Sequence, residues 1–458
     1  MTIEVIVLAA GRGTRMASSR PKVLHTLGGR SLLDHVLNTA QALDPSQIHV
    51  VVGPENESLV EAQTRAALIW HIQKERLGTG HAVEVAMCAV HEPATVLVLY
   101  ADMPLVRVDT LRALCAQAQD DRVVMLTARP DVVDGFGRII RDKTGAVTGI
   151  VEEADATAKQ RAIGEVNTGI LVAPARRLGR WLAQVENGNE QGERYLTDVV
   201  AMAVADEVDV VAHAVGDLDE SLGVNDKAQL AAAERALQRR QANQLMQAGL
   251  TLRDPARFDL RGQVVFGSDC VIDINVVLGG CVELGDRVTI GPNCQVSNAR
   301  IEDDVVVHSN CVIDDAKVGA GARIGPFARL RPGAELAANV HIGNFVEIKK
   351  SQIGTNTKVN HLAYIGDSDI GDAVNIGAGV ITCNYDGVGK YKTVVGDGAF
   401  IGSNTQLVAP VTIGAGATIG AGSTIRQDAP SGKLTLTPGR QKTVSRWRRR
   451  RDDSQRVR

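Results

Sequence analysis

From about residue 262 onward the chain repeats one short phrase, and that period restricts its fold more than any other feature. Leu278, Leu284, Ile290 and Val296 are six apart. So are Val318, Ile324, Leu330, Leu336, Ile342 and Ile348, and again Val395, Ile401, Leu407, Ile413, Ile419 and Ile425. A hexapeptide period predicts a β-helix of triangular section, in which each repeat makes one short strand and one corner and three repeats close a coil. Neighbouring coils then stack ~4.8 Å apart. Five-residue steps, as from Ile348 to Ile353 and Ile365 to Ile370, shorten some coils. Aromatic residues are only 3% of the chain, which suits a core of small aliphatics. Cys270, Cys294 and Cys311 lie four places after an apolar repeat position, and Cys281 lies three after Leu278. They read as core or corner residues. Seven cysteines without a Cys-x-x-Cys pair point to a reducing cytoplasm and away from structural zinc.

The chain before Asp226 has a different texture. "IEVIVLAA" (3–10), "IHVVVG" (48–53) and "ATVLVLYAD" (94–102) are apolar runs bounded by turn residues. Such runs predict parallel strands buried on both faces, with helices between them. This half is therefore expected to be a doubly wound, Rossmann-like α/β domain with ligands beyond the carboxyl ends of its strands. Residues 226–249 predict one long connecting helix, with Asn225 or Asp226 as N-cap and Gly249 as stop. The expected domains are thus 1–225, a helical linker 226–249, a β-helix 250–436 and a basic tail 437–458. Net charge is −3, yet the stretch from Arg446 to Arg458 holds seven Arg against two Asp. That tail reads as a solvated terminus and not as a nucleic-acid segment. No run of eighteen apolar residues and no leader-like N-terminus is found, so neither a membrane span nor a secretory signal is expected.

"LAAGRGTRM" follows the first strand and carries Gly11 and Gly13. Glycines let backbone N–H groups approach phosphate oxygens, although strand-to-helix turns use glycine routinely as well. The loop lacks the Gly-Lys-Ser/Thr ending of a Walker A sequence, and Met16 stands where a dinucleotide fingerprint requires Gly or Ala. Arg15 and Lys22 put two cations beside it, suited to a triphosphate. Asp102 closes a strand where a Mg²⁺ ligand is expected, and Mg²⁺ on phosphates needs only one or two protein oxygens.

A regular prism has no pocket, so a second site must come from departures from the repeat. Arg331, Lys349, His361, Tyr364, Asn375, Asn384, Tyr385 and Ser403 all fall between positions 331 and 403. Arg331 and Lys349 are separated by the length of three hexapeptides, one full coil, so they are expected to stack on one face. At "TCNYDGVGKYKT" (382–393) the repeat stops for a polar insertion and then resumes.

"VLAAGRGTRM", "PKVLHTL", "LGTGHAV", "IGEVNTGI" and "GVND", followed by repeats that contain "TCNYDG", resemble the bacterial bifunctional N-acetylglucosamine-1-phosphate uridylyltransferase/glucosamine-1-phosphate acetyltransferases over essentially the whole chain before the tail. The resemblance implies a left-handed β-helix, a homotrimer, and Mg²⁺ with UTP and acetyl-CoA as co-substrates. The product would be UDP-N-acetylglucosamine, a precursor for cell-wall and lipopolysaccharide synthesis. It implies that Leu8, Ala9, Ala10, Gly11 and Lys22 hold the nucleotide, with Arg15 and Lys22 neutralising phosphate charge. Gln73, Gly78 and Thr79 would read uracil. Tyr100 and Ala101 would lie beside the substrates, and Gly137, Glu152 and Asn167 would contact the sugar. Asp102 and Asn225 would hold the metal. In the C-terminal half, Arg331 and Lys349 would bind the sugar phosphate, His361 would be the proton acceptor, and Tyr364 and Asn375 would orient the sugar. Ala378, Asn384, Tyr385, Ser403, Ala421 and Arg440 would meet acetyl-CoA or the developing oxyanion. Two departures stand out: Ala101 replaces a usual Gly, and Pro438 occupies the place of a CoA-binding Arg, shortly before Arg440. The alternative is a single-function sugar-1-phosphate nucleotidyltransferase whose β-helix serves only oligomerisation.

Overall fold

The computed structural model describes residues 2–56, 68–118, 121–439 and 441–447. These residues fall into two compact units, divided between positions 241 and 242.

The first unit is built on a nine-stranded sheet. Its strands are β1 (Ile3–Ala9), β2 (Gln47–Val52), β3 (Leu68–Ile72), β4 (Thr95–Tyr100), β5 (Val123–Ala128), β6 (Arg138–Arg141), β7 (Val147–Val151), β8 (Val166–Pro174) and β9 (Val210–Ala214). The main path runs β9-β5-β8-β4-β1-β2-β3. β1 lies parallel to both β2 and β4, and β2 to β3, so the expected apolar runs pair directly. Val5 and Val7 pack into one core and Ile6 and Leu8 into another, which is why these strands are apolar at consecutive positions. The sheet is not wholly parallel: β8 runs antiparallel to β4 and β5. The β6–β7 hairpin delivers the chain to the edge where β4 ends, and β8 can only re-enter from there. That reversal brings Asn167, at the start of β8, to the edge that carries Asp102.

The helix Lys227–Gln247 follows. Asp226, not Asn225, caps it: its Oδ1 accepts the Gln229 N–H at 2.8 Å. Gly249, at φ 107°, ends it. The boundary between the two units falls within this helix.

The second unit is a parallel β-helix, its coils laid one on the next in strict register. Leu278, Val296, Ile313, Leu330, Ile348 and Ile365 form one such column, all buried. The next place in that column belongs to Thr382, also fully buried, at the start of the insertion. Cys270, Cys294 and Cys311 are buried as expected, and Cys281 is exposed at its strand's corner. Arg440 and residues 448–458 lie outside the described residues, and Trp447 is largely exposed. No described helix is long and apolar enough to cross a membrane.

Candidate functional site

The carboxyl edge of the first sheet collects the residues expected there. The Ala101 N–H donates to the Leu8 carbonyl at 3.0 Å, and the Val224 N–H donates to the Asp102 carbonyl at 2.9 Å. These two bonds dock the Asp102 turn against the glycine loop and bring Asn225 beside it. Ala101 is buried with its N–H engaged, so its methyl is accommodated within the core and its part is to seat Asp102. Between them sits the Lys22 ammonium, 2.5 Å from Asp102 Oδ2 and 2.8 Å from Asn225 Oδ1. One carboxylate and one amide oxygen thus converge on a cation. Hard oxygen donors in that number fit a Mg²⁺ that takes its remaining ligands from phosphates and water.

Two glycines of the loop do different work. Gly13 has φ 62°, and a Cβ there would lie 2.5 Å from the Lys22 Cβ, so glycine is required for the loop to pass over Lys22. A Cβ on Gly11 would meet nothing within 4 Å, so the fold does not require glycine there and the open space suits a closely approaching ligand. Gly13→Ala is therefore expected to slow the uridylyl transfer that the resemblance implies about tenfold or more and to destabilise the unit by about 1–2 kcal/mol. Gly11→Ala is expected to spare stability and raise the KM for UTP. Steady-state kinetics beside thermal melts separate the two. Arg15 is exposed and pairs with no acidic group among the described residues.

Gln73, buried after β3, donates Nε2–H to the Gly78 carbonyl at 3.1 Å. Gly78 is at φ 108°, and the Thr79 hydroxyl accepts the Leu196 N–H at 3.0 Å. Tyr100 is buried beside this corner, with its ring packed on Gly169. Burial pushes the Tyr100 hydroxyl's pKa up, reinforced by the charges of Glu152 and Asp102. The third group, Gly137, Glu152 and Asn167, also converges. The Asn167 N–H donates to the Gly137 carbonyl at 2.8 Å, and Gly137 backs onto the Glu152 carboxylate. Burial raises the Glu152 pKa, opposed by the Thr197 hydroxyl donating at 2.9 Å. Beside it lies a cavity of about 320 Å³ lined by Glu152, Asp155, Asn189, Tyr195 and Thr197. Sequence reasoning missed Thr197, and also Arg76, whose Nε–H donates to the Ala10 carbonyl at 2.9 Å and braces the loop from behind.

In the second unit the coil register decides who meets whom. Leu330 pairs with Ile348, so Arg331 and Lys349 are neighbours on successive coils. Arg331 Nη1 reaches Glu347 Oε1 at 2.8 Å, and Lys349 Nζ lies 3.8 Å from Asp367 Oδ2. Glu347 pairs with Tyr364, whose hydroxyl lies over Gly366, the in-register partner of Lys349. Around the adjoining corner Asn344 pairs with His361, and His361 Nδ1 is 2.8 Å from Asn344 Oδ1. With that oxygen accepting, Nδ1 carries the hydrogen and Nε2 keeps its lone pair.

The ladder Ile342–Val359–Ile376–Ile401–Ile419 places Asn344, His361, Ala378, Ser403 and Ala421 along one corner. Asn375 stands on the strand leading into it, beside inward-pointing Ile376. From His361 to Ala421 is three coil spacings, ~14 Å, lined by small side chains. The insertion folds as a hairpin closed by a Tyr385–Lys390 bridge, with Asp386 Oδ1 accepting from the N–H groups of Val388 and Gly389. Asn384 is buried at its base and Tyr385 is exposed. Arg440 cannot be placed in this site, because it lies outside the described residues.

Comparison with known proteins follows the same division. Residues 5–249 match the MobA-like NTP transferase domain. Four stretches between positions 263 and 427 match the bacterial transferase hexapeptide (six repeats). The chain is 54% identical to the bifunctional protein GlmU of Alkalilimnicola ehrlichii, over 98% of this chain and 96% of the relative. It is 53% identical to that of Methylococcus capsulatus, over 98% of each. It is also 51% identical to that of Pseudomonas putida, again over 98% of each.

Proposed function

The chain belongs to the bifunctional GlmU proteins, and on that footing we propose that it makes UDP-N-acetylglucosamine by two reactions at separate sites. The β-helix transfers acetyl from acetyl-CoA to glucosamine-1-phosphate. The nucleotidyltransferase unit then transfers uridylyl from UTP to the resulting N-acetylglucosamine-1-phosphate and releases pyrophosphate. One observation carries the reading over a pure scaffold: a hairpin interrupts the β-helix about one coil beyond a polarised histidine and two to three coils beyond the stacked cations Lys349 and Arg331. Oligomerisation alone requires none of these.

For acetyl transfer, Arg331 and Lys349 anchor the sugar phosphate, with Tyr364 and Asn375 orienting the ring. The neutral 2-amino group attacks the thioester carbonyl; the C–N bond forms and the C–S bond breaks. His361 Nε2 accepts the amine proton, and the departing CoA thiolate takes up a proton in turn. Ala378, Ser403 and Ala421 give the extended thioester cofactor a smooth corner to lie along, and Asn384 and Tyr385 cover the reacting carbonyl.

For uridylyl transfer, the sugar phosphate oxygen is already anionic and needs no general base. It attacks the α-phosphorus in line as pyrophosphate leaves. This chain's residues position and neutralise: Lys22 and Arg15 on phosphate oxygens, Gln73, Gly78 and Thr79 at the base, and Gly137, Glu152 and Asn167 at the sugar. Mg²⁺ held by Asp102 and Asn225 would neutralise charge on the phosphates. The Lys22 ammonium now lying on those two oxygens then turns to the triphosphate.

The β-helix also carries an apolar ladder on its outside. Phe327, Phe345 and Leu362 are each about half exposed or more, all at φ of 50–57°, with the two phenyl rings stacked at 5.2 Å. Bulky residues held in the left-handed region at a cost, and still facing water, contribute little to a lone chain. They support assembly with further copies of the chain, as a homotrimer, in the cytoplasm where both co-substrates occur.

Incubating the protein with glucosamine-1-phosphate, acetyl-CoA, UTP and Mg²⁺ is expected to yield free thiol, pyrophosphate and UDP-N-acetylglucosamine by mass. EDTA should stop pyrophosphate release and spare thiol release. Thiol release that never exceeds the background of a heat-denatured sample would leave a nucleotidyltransferase alone.

A further inference from the structure

Asp367 occupies a corner of the β-helix at φ 49°, with its side chain only 19% exposed. Its Oδ2 faces two groups assigned above to different tasks: Lys349 Nζ at 3.8 Å and the Asn384 side-chain amide, which donates to it. Its backbone carbonyl accepts the Thr393 N–H at 3.2 Å. One residue therefore ties both ends of the insertion, entry through Asn384 and exit through Thr393, and also borders the phosphate cation. Inside the coil Thr382, where an aliphatic would continue the column, accepts the Gly366 N–H at 2.8 Å. Ser368 Oγ–H donates to the Gly366 carbonyl, and the Ser368 N–H donates to Ser351 Oγ at 3.0 Å. Ser351 in turn donates to the Lys349 carbonyl at 2.8 Å. Buried hydroxyls thus brace the backbone on both sides of Asp367. The hairpin's own closure, Tyr391 N–H to the Asn384 carbonyl at 2.9 Å, joins backbone to backbone and leaves the Asn384 side chain to Asp367.

We propose that Asp367 is a positioning residue for acetyl transfer: it holds Asn384, and with it the hairpin, in register with the phosphate-binding Lys349. This rests on the acetyltransferase reading above. Asp367 does not touch the reacting atoms; it sets where Asn384 and Tyr385 stand relative to a sugar whose phosphate Lys349 holds. A displacement of about 1 Å in such a constellation can cost on the order of 10²-fold in rate.

The experiment compares Asp367→Ala and Asp367→Asn in the full chain, measuring thiol release from acetyl-CoA and, on the same samples, pyrophosphate release from UTP and N-acetylglucosamine-1-phosphate. Asp367→Ala is expected to lower kcat for acetyl transfer about 10–100-fold. Its KM for glucosamine-1-phosphate should not rise, since the carboxylate that competes for Lys349 is gone. Asp367→Asn tolerates the left-handed corner and keeps an oxygen for Asn384, so it is expected to restore kcat to within about threefold of wild type. Uridylyl transfer should be unchanged in both. An alanine variant as fast as wild type overturns the proposal, as does an asparagine variant as slow as the alanine one. Loss of both activities together assigns Asp367 a general structural role and overturns it too. Wild type without thiol release fails the acetyltransferase reading instead, which keeps the two failures distinct.

Discussion

His361→Ala is expected to cut acetyl transfer by about 10²–10⁴-fold while pyrophosphate release from UTP continues at the wild-type rate. The amine that attacks the thioester must shed a proton as the C–N bond forms, and among the residues gathered on this corner only the imidazole offers a free nitrogen lone pair to accept it. Asn344 fixes the ring through Nδ1, so the free lone pair is on Nε2. Alanine removes the acceptor and leaves Arg331 and Lys349 to bind the phosphate, so the loss should fall on kcat, with the KM for glucosamine-1-phosphate within about threefold. His361 is exposed, and its loss leaves Asn344 free to bond water, so melting should be unaffected. Parallel thiol-release and pyrophosphate assays on one preparation check both halves of the prediction.

Lys22→Ala should produce the opposite pattern. The Lys22 ammonium is nearly buried between Asp102 and Asn225, and no second lysine replaces it on those oxygens among the described residues. Without it the triphosphate loses a charge that strengthens as pyrophosphate departs, and uridylyl transfer is expected to fall about 10²–10³-fold. The folded state loses much less. Asp102 remains a quarter exposed and can regain solvent or bind Mg²⁺, so a loss of about 1 kcal/mol, or about 2–4 °C in Tm, is expected. Acetyl transfer should be untouched. Calorimetry with and without Mg²⁺, beside the pyrophosphate assay, separates the rate effect from the stability effect.

Much of this was legible in the sequence because a β-helix converts spacing into contact. Arg331 and Lys349 are neighbours because their separation along the chain is one full coil. The glycine loop and Asp102 were legible because parallel strands end at a common edge. The partners of these residues were not. Asn344 precedes His361, and Asp367 precedes Asn384, by one of the shortened coils, a spacing visible only once the five-residue steps are counted. Thr382 reads as a break in the aliphatic pattern, yet it points inward and uses its hydroxyl on backbone groups. Arg76 and Thr197 come from distant segments, with no period linking them to Ala10 or Glu152. The reversal of β8 was hidden because "NTGILVAP" is as apolar as a buried parallel strand, and only the preceding hairpin sets its direction.

One chain carries two separable activities, and mixing the two crippled variants tests this most directly. Neither His361→Ala nor Lys22→Ala alone should make UDP-N-acetylglucosamine from glucosamine-1-phosphate, acetyl-CoA and UTP. Lys22→Ala should instead accumulate N-acetylglucosamine-1-phosphate. An equimolar mixture of the separately purified variants is expected to restore the nucleotide sugar, through an intermediate released by one variant and taken up by the other. A mixture of folded variants that makes no product, or a Lys22→Ala variant that consumes no acetyl-CoA, would contradict the account.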